Sequence, residues 1–269
     1  MIKHLLFFLI ILCSTPSFAT EVKFSEATAK GIEVDYLSRL YVTFSKKVVR
    51  YKLSGEVDKE YKLAAKDSLI KAFLMPNMEV LLVTKNPKFL YVIDENFKLI
   101  DSVDTKKKAG FSPQQLLSVA KDEFAVINTA GNKISTYSYA FEWKAEINYN
   151  MSGLGKSWYF VNGFGGGYRY FYSEESKGIF RTDNNGASRG FIPTGSGLRE
   201  FYVFIKDQQE KAYVYLGGSF VEASFDNIND VRVKASISHD NELTAILLNE
   251  VAVKLYNDKF VVLNVQPNF

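Results

Sequence analysis

Short runs of β-branched and aromatic residues recur along the chain at a nearly constant spacing. They read LYVTF from Leu40, VLLVT from Val80, FAVINT from Phe124, YFVNGF from Tyr159, FYVFIK from Phe201 and TAILLN from Thr244. Successive runs start about 40 residues apart, and a second apolar run follows each of them after a short turn. Turn residues at such short intervals leave no room for long amphipathic helices. The chain is therefore expected to be all-β and to repeat one unit of antiparallel hairpins.

A repeat of about 40 residues is the length of one four-stranded blade of a β-propeller. The repeats fill residues 20–269 and predict a single domain, a six-bladed β-propeller of four-stranded antiparallel blades. A small twisted sheet cannot bury both of its faces alone, whereas sheets arranged radially cover one another. A β-sandwich or a two-domain arrangement is the alternative. The residues expected to form the core between blades are Leu40, Val42, Leu81, Val83, Val126, Phe160, Val203 and Ile246.

Each recurring run is expected to be the second strand of its blade, with the inner strand just before it. The predicted inner strands include GIEVD at 31–35, LIKAFL at 69–74 and VKASIS at 233–238. Residues 22–24 could add a closing strand to the last blade, although KFVVLNV near the C terminus could already complete it. The best helical candidate is segment 113–120, about two turns long.

Two stretches resemble known propeller repeats. GIEVDYLSRLYVTFSKKVVRYKLSGEV, residues 31–57, is similar to a blade of the NHL and YVTN types. SISHDNELTAIL, residues 236–247, resembles the FSPDG-containing blade of Tol-type propellers, with His239 and Asn241 where that family prefers Pro and Gly. The resemblance implies the fold and no particular activity, because such repeats occur in binding scaffolds and in enzymes.

The first 19 residues have the features of a cleavable signal peptide. A basic residue, Lys3, precedes an apolar run at 5–12, and the small residues Ser17 and Ala19 are placed as at a cleavage site. The run is far shorter than the roughly 20 residues that span a bilayer, so the chain is not expected to cross a membrane. The single cysteine, Cys13, lies in this leader. The mature protein is therefore expected to be periplasmic or secreted and to fold without disulfides.

Charge and composition argue against several function classes. The 33 lysines and arginines nearly balance the 30 aspartates and glutamates, so the overall charge does not indicate nucleic acid or an anionic membrane as a partner. The basic run Lys106, Lys107 and Lys108 is typical of a solvated loop. Beyond the leader there is one histidine, His239, and no thiol, which removes the commonest catalytic base, nucleophile and zinc ligands. No catalytic residue is assigned.

The stretch WYFVNGFGGGYRYFYSEE, residues 158–175, is the candidate contact surface. Alternate side chains of a strand point to opposite faces, so its aromatic residues cannot all be interior. Exposed tyrosine, tryptophan and arginine are typical of surfaces that bind proteins or glycans. The alternative is that they fill the gaps between blades. The predicted patch comprises Trp158, Tyr159, Phe164, Tyr168, Arg169, Tyr170 and Tyr172.

These observations favour an exported, non-catalytic propeller that binds an envelope protein or a surface polymer and acts as a scaffold. One alternative is a calcium-dependent hydrolase or lactonase, with Glu33 and Asp35 as metal ligands near the central channel. Asp35 would otherwise cap the backbone of its own turn. The other alternative is a permanent structural subunit of a secretion or motility complex. No cofactor is expected except calcium in the enzymatic alternative.

Overall fold

In the computed structural model, the described part of the chain forms six antiparallel sheets of four strands each. The structure describes residues 20–264 except for 26–27, 65, 120–122, 129–132, 149–157, 162–168, 174–175, 184–186, 195–197, 207–208, 217–218, 226–230, 237–241 and 249–250. The predicted signal peptide lies outside these residues. Among the described residues, no helix is long and apolar enough to cross a membrane.

The first three sheets are meanders whose strands follow one another in sequence. The first sheet consists of β2 (Gly31–Val34), β3 (Leu40–Thr43), β4 (Lys47–Tyr51) and β5 (Val57–Lys62). The second consists of β6 (Leu69–Leu74), β7 (Val80–Thr84), β8 (Phe89–Ile93) and β9 (Leu99–Asp104). The third consists of β10 (Leu116–Val119), β11 (Glu123–Asn128), β12 (Lys133–Ser138) and β13 (Trp143–Asn148).

The fourth and fifth sheets repeat this order, and the sixth combines strands from both ends of the chain. The fourth sheet consists of β14 (Trp158–Val161), β15 (Arg169–Ser173), β16 (Gly178–Thr182) and β17 (Ser188–Pro193). The fifth consists of β18 (Leu198–Lys206), β19 (Gln209–Leu216), β20 (Ser219–Ser224) and β21 (Val231–Ser236). The sixth consists of β22 (Thr244–Leu248), β23 (Val251–Leu255), β24 (Lys259–Asn264) and β1 (Thr20–Lys23).

Every sheet packs against the next, and the sixth returns to the first. The first strands touch in sequence, β2 with β6, β6 with β10, β10 with β14, and β18 with β22. The fourth and fifth sheets meet where the rings of Tyr170 and Phe225 lie 5.4 Å apart. Val253 and Phe260 of the sixth sheet share a core cluster with Leu40 of the first. The molecule is therefore the predicted six-bladed propeller, with the first strand of each sheet innermost.

The core lies between neighbouring sheets, as the pattern predicts. Leu40, Val42, Leu81, Val83 and Val126 are at most 4% exposed. Burying a side chain of this size contributes about 1.5–3 kcal/mol each, which is why the inter-sheet layers dominate the stability.

Three other core predictions have different outcomes. Ile246 is half-buried, whereas its neighbour Ala245 is 1% exposed, because alternate residues of β22 take opposite faces. The side chains of Phe160 and Val203 lie outside the described part of the structure.

The N-terminal strand β1 closes the ring. It pairs antiparallel with β24, with Thr20 opposite Val262 and Lys23 opposite Lys259. Beyond β1, the Phe24 N–H donates to the Asp258 carbonyl oxygen at 2.7 Å. The rings of Phe24 and Phe44 then meet edge to face at 4.9 Å, so this segment also packs on the first sheet. Residues 259–264, within the segment KFVVLNV, supply the third strand of the last sheet, and residues 20–23 supply the fourth.

This closure shifts the strand assignment in the second half of the chain. The runs near Leu40, Val80 and Phe124 are second strands, as predicted, but those near 158, 201 and 244 begin or lie within first strands. The prediction that residues 233–238 form the inner strand of the sixth blade is wrong, since β21 is the outer strand of the fifth sheet. The reason is that β1 completes the sixth sheet, so only three strands are needed after β21.

The helix prediction is also wrong. Pro113–Gln115 is a single 3-10 turn, and Leu116 and Val119 of β10 are buried against β11 instead of continuing a helix. A five-residue helix, α1 (Thr105–Ala109), forms instead in the basic run that was expected to be a loop. The Asp104 side chain accepts from the Lys107 N–H at its start, and Gly110 with φ of 77° ends it.

Alanine substitutions at two glycines can test whether β1 packs tightly where it closes the ring. Gly55 and Gly110 both have positive φ, 86° and 77°. A Cβ on Gly55 would lie 2.3 Å from Val22 Cγ2 of β1, whereas a Cβ on Gly110 would meet nothing within 4 Å. We expect Gly110→Ala to lower the free energy of unfolding by about 1 kcal/mol and Gly55→Ala by roughly 2–4 kcal/mol, because the second adds a clash with a stiff β-branched side chain.

Urea unfolding followed by circular dichroism measures both changes. Equal losses in the two variants would show that β1 yields freely and that closure does not depend on packing at Val22.

Candidate functional site

Most of the exposed large apolar side chains among the described residues lie at one end of the first three sheets. Tyr36 and Leu37, 72% and 54% exposed, lie in the turn between β2 and β3. In an antiparallel meander, the turn after the first strand and the turn after the third lie at the same end. The residues that follow the turn after the third strand are Val57, Leu99, Ile100 and Trp143, all exposed. We call the surface defined by these six residues the apolar face.

A cleft of about 300 Å³ opens on the apolar face where the ends of β2, β6 and β10 converge. Its walls are mainly apolar, and Glu33 and Asp35 are also among its lining residues. Because residues from three sheets line one cavity, the cleft marks the mouth of the space enclosed by the inner strands. The apolar walls are formed by Val34, Tyr36, Phe73, Met75, Met78 and Val119.

A second cavity of about 140 Å³ lies between the second and third sheets. The two cavities share Met75, and Ile100 of the apolar face lines the outer one. Glu79 and Asp101 add carboxylates to its rim. We call these two neighbouring cavities the groove. Unbranched methionine side chains adapt to ligands of different shape, so Met75 and Met78 suit such a groove.

The turns on this face share one backbone conformation. The N–H of the fourth turn residue donates to the carbonyl oxygen of the first in 35–38, 75–78, 94–97 and 138–141, at 2.8–3.0 Å. The fourth residue has positive φ each time, between 59° and 66°, at Ser38, Met78, Phe97 and Phe141. Such a conformation costs a non-glycine residue about 1 kcal/mol. Phe97 and Phe141 offset this cost by burying their rings between sheets.

Asp35 fixes the turn that presents Tyr36 and Leu37. Its Oδ1 accepts from the N–H groups of Leu37 and Arg39, both at 2.9 Å. Its Oδ2 accepts from Arg39 Nε at 2.6 Å and from the Tyr41 hydroxyl at 3.1 Å. Burial raises the pKa of Tyr41, so its hydroxyl remains protonated and able to donate. The carboxylate of Asp35, only 2% exposed, is thus fully engaged within its own sheet.

Arg50 joins the first sheet to the second beneath this turn. Its Nε donates to Asp58 Oδ2 at 2.6 Å, and its Nη1 donates to the Glu95 carbonyl oxygen at 2.8 Å. The guanidinium lies 5.3 Å from the centroid of the Phe97 ring. Sequence reasoning missed this residue, although an arginine inside the apolar run VVRYKL was a visible signal.

Arg181 occupies the corresponding place between the fourth and fifth sheets. It donates to the Arg189 carbonyl oxygen at 2.8 Å and lies 5.1 Å from the centroid of the Phe225 ring. These buried arginines therefore stabilise sheet junctions through hydrogen bonds and cation–π contacts.

The two candidate calcium ligands have different roles in the structure. Glu33 lines the cleft, but Asp35 uses both oxygens to hold Leu37, Arg39 and Tyr41. A calcium ion bound by Asp35 would have to displace these donors. In the part of the chain that the structure describes, no group of three or more histidine, cysteine, aspartate or glutamate residues could hold a metal ion. The plainer interpretation of Asp35, a residue that caps its own turn, is the one its contacts support.

The predicted aromatic patch of residues 158–172 is described only in part. Tyr170 is 1% exposed and packs on Phe225, so it is a core residue between sheets and not part of a contact surface. Tyr170 belongs to β15, which pairs with β14 and β16 on either side. The face of β15 that carries Tyr170 is covered by the fifth sheet, where its ring meets Phe225. Phe164 and Tyr168 lie outside the described residues, and so do the side chains of Trp158, Tyr159, Arg169 and Tyr172. For these residues the patch stays a prediction.

Comparisons with solved structures identify the same fold in distant proteins. Catalytically inactive virginiamycin B lyase from Staphylococcus aureus, solved with quinupristin, matches with a TM-score of 0.60 and 12% identity, over 93% of this chain and 99% of that chain. A chain of the mitotic checkpoint complex matches with a TM-score of 0.60 and 9% identity, over 94% of both chains. The WD40 domain of Neurospora crassa Pan2 matches with a TM-score of 0.56 and 12% identity, over 88% of this chain and 75% of that chain.

These similarities define the chain as a β-propeller and go no further. Their identities are too low to transfer a function, and the matched proteins include both a lyase and WD40 domains. No family model matches the chain, and no curated protein matches its sequence.

The contribution of the Asp35 network can be measured against a matched turn. Asp94 accepts from the N–H groups of Asn96 and Lys98, both at 2.8 Å, in the corresponding geometry but without the side-chain donors of Asp35. We expect Asp94→Ala to lower the free energy of unfolding by about 1 kcal/mol and Asp35→Ala by about 3 kcal/mol, because the latter also leaves Arg39 and Tyr41 without their acceptor.

Denaturant titration of both variants provides the measurement. If both lose the same free energy, the side-chain bonds of Asp35 contribute nothing beyond the turn. If calcium stabilises the wild type and not Asp35→Ala, Asp35 binds the ion despite these contacts.

Proposed function

We propose that this chain is an exported, non-catalytic propeller that binds another envelope protein through the apolar face and acts as a scaffold. The observation that carries the proposal is the concentration of exposed Tyr36, Leu37, Ile100 and Trp143 at the end of the sheets where the groove lies. Single exposed apolar residues are ordinary on protein surfaces, but clusters of them mark interaction sites. The proposed location in the envelope is supported by the signal-like residues 1–19.

The chemistry of this face favours a protein segment over a glycan. Leucine, isoleucine and valine side chains offer no hydrogen bonds, so they would leave the hydroxyls of a sugar unpaired. An apolar peptide side chain in the groove would contact Met75 and Met78 without that cost. Tryptophan and tyrosine, here Trp143 and Tyr36, are the residue types that most often dominate binding energy at protein interfaces.

The charges around the face further define the partner. Glu79, Asp94, Glu95, Asp101 and Glu142 all lie in or beside the turns at this end of the second and third sheets. Acidic groups at the rim of an apolar surface attract basic groups and orient them. The proposed partner is therefore a segment with apolar side chains flanked by lysine or arginine.

Site-specific photocrosslinking in the source cells tests which surface contacts the partner. We expect a photoreactive phenylalanine analogue at position 143 to capture one envelope protein, because Trp143 is 61% exposed on the apolar face. The matched control is position 70, since Ile70 is 43% exposed at the opposite end of the second sheet. The same analogue at position 168 tests the aromatic patch predicted from the sequence.

The outcomes separate the alternatives. Capture from 168 and not from 143 would reject the apolar face in favour of the aromatic patch. Capture from neither position would reject the binding function. Complete, stoichiometric capture that survives purification would instead favour a permanent structural subunit. Once the captured partner is identified and purified, Ile100→Ser with Trp143→Ser in the chain without the photoreactive analogue should weaken binding to it at least tenfold, because each interface anchor of this kind contributes more than about 1 kcal/mol.

A further inference from the structure

The end of the ring opposite the apolar face carries lysines. Here lie the turns between second and third strands and the connections from one sheet to the next. Lys46 lies in the first of these turns, Lys85 and Lys88 bound the next one, and Lys30 and Lys66 lie in the sheet connections. All five are exposed. We call the surface defined by these five residues the lysine face.

Backbone hydrogen bonds join these segments into one surface. The Leu63 N–H donates to the Lys46 carbonyl oxygen and the Leu69 N–H to that of Ser45, both at 2.8 Å. The Lys85 N–H donates to the Ser68 carbonyl oxygen, also at 2.8 Å. The turns of two sheets therefore interlock, and their lysines share one end of the ring.

Three of these lysines have contacts at this end of the ring, two with backbone carbonyl oxygens and one with a carboxylate. Lys30 Nζ donates to the Leu69 carbonyl oxygen, and Lys46 Nζ donates to that of Asp67. Lys88 lies 3.5 Å from the carboxylate of Asp104. Burial lowers the pKa of Lys30, and repulsion from the charge of Lys85 lowers it further. The five exposed ammonium groups at this end of the ring form a basic surface that is complementary to an anionic one.

Two exposed apolar residues accompany these charges. Ile70 follows Leu69, whose carbonyl binds Lys30, and is 43% exposed. Leu243 is 38% exposed and its N–H donates to the Leu255 carbonyl oxygen at 2.7 Å, at the same end of the sixth sheet. Ile70 lies in the first strand β6 and Leu243 directly precedes the first strand β22, so both are near the ring centre.

We propose that the lysine face docks on the surface of a phospholipid bilayer that contains anionic lipids. Lysine ammonium groups are compact point charges, which suit a diffuse layer of headgroups, whereas specific phosphate recognition generally uses the planar fork of arginine. The central Ile70 and Leu243 would contact the boundary of the acyl chains, a contact that a soluble polyanion would not offer. Docking in this way turns the apolar face outward, but it does not depend on what that face binds.

Vesicle binding by the purified full chain tests this proposal. Wild type should sediment with vesicles of phosphatidylcholine and phosphatidylglycerol and not with vesicles of phosphatidylcholine alone, and rising salt should release it. The same residues 1–19 are present in every variant, so their contribution is common to all comparisons. Inorganic polyphosphate serves as the soluble polyanion.

Charge reversal identifies the face. Lys66→Glu with Lys85→Glu should weaken binding to the anionic vesicles at least about tenfold, because each lysine near such a surface contributes about 1 kcal/mol. The control is Lys52→Glu with Lys98→Glu, which makes the same change in net charge in turns on the apolar face and should leave binding within about twofold. Ile70→Ser should weaken vesicle binding and leave polyphosphate binding unchanged.

Three results would overturn the proposal. Equal weakening by both double variants would show that only net charge matters. Equal binding to vesicles with and without phosphatidylglycerol would show that the lysines are not involved. Binding of polyphosphate without binding of anionic vesicles would identify a soluble polyanion as the ligand instead of a membrane. Circular dichroism of each variant confirms that the fold is retained.

Discussion

The structure depends on burial of apolar surface between neighbouring sheets. A four-stranded sheet of about five residues per strand has two broad faces, and neither can be covered from within the sheet. Tyr41 and Val48 of the first sheet are buried only because Leu69 and Leu82 of the second lie against them. Each sheet of the ring depends in this way on the sheets beside it. The ring is therefore stable only if the sixth sheet also packs against a neighbour. The pairing of β1 with β24 meets this requirement and links the two ends of the described chain in one sheet.

Ring closure also explains why the surface is divided into two chemically different ends. All inner strands run in the same direction along the ring axis. The turns after first and third strands therefore gather at one end of the ring, and the turns after second strands gather at the other. Residues such as Val57 and Trp143, far apart in sequence, then occupy the same position in the first and third sheets. Lys46 and Lys85 come together at the opposite end by the same rule. A chain whose total charge is nearly balanced can thus carry one apolar, acidic end and one basic end.

The sequence allowed the number and type of sheets to be predicted because every sheet needs similar strand lengths and tight turns, which impose a constant spacing. The sequence did not reveal which strand of its sheet each run would form. Residues 20–23 complete the sixth sheet by a non-local pairing, and no local pattern encodes such a pairing. Segment 113–120 is the best helical candidate in the sequence, but Leu116 and Val119 gain more from burial against β11. Tertiary packing outweighed local propensity there.

The candidate site was harder to predict than the fold for a related reason. The turn-capping role of Asp35 is local and could be inferred from its type and position. Exposure of Trp143 or burial of Tyr170 depends on which side of a strand meets the next sheet, and composition carries no such information. The aromatic stretch of residues 158–175 attracted the functional hypothesis by its residue types, yet Tyr170 is used to join two sheets. In a ring of small sheets, many aromatic side chains are needed to fill the space between neighbouring sheets. Recognition is therefore better sought at positions beside the turns, where the fold has no further use for an apolar side chain.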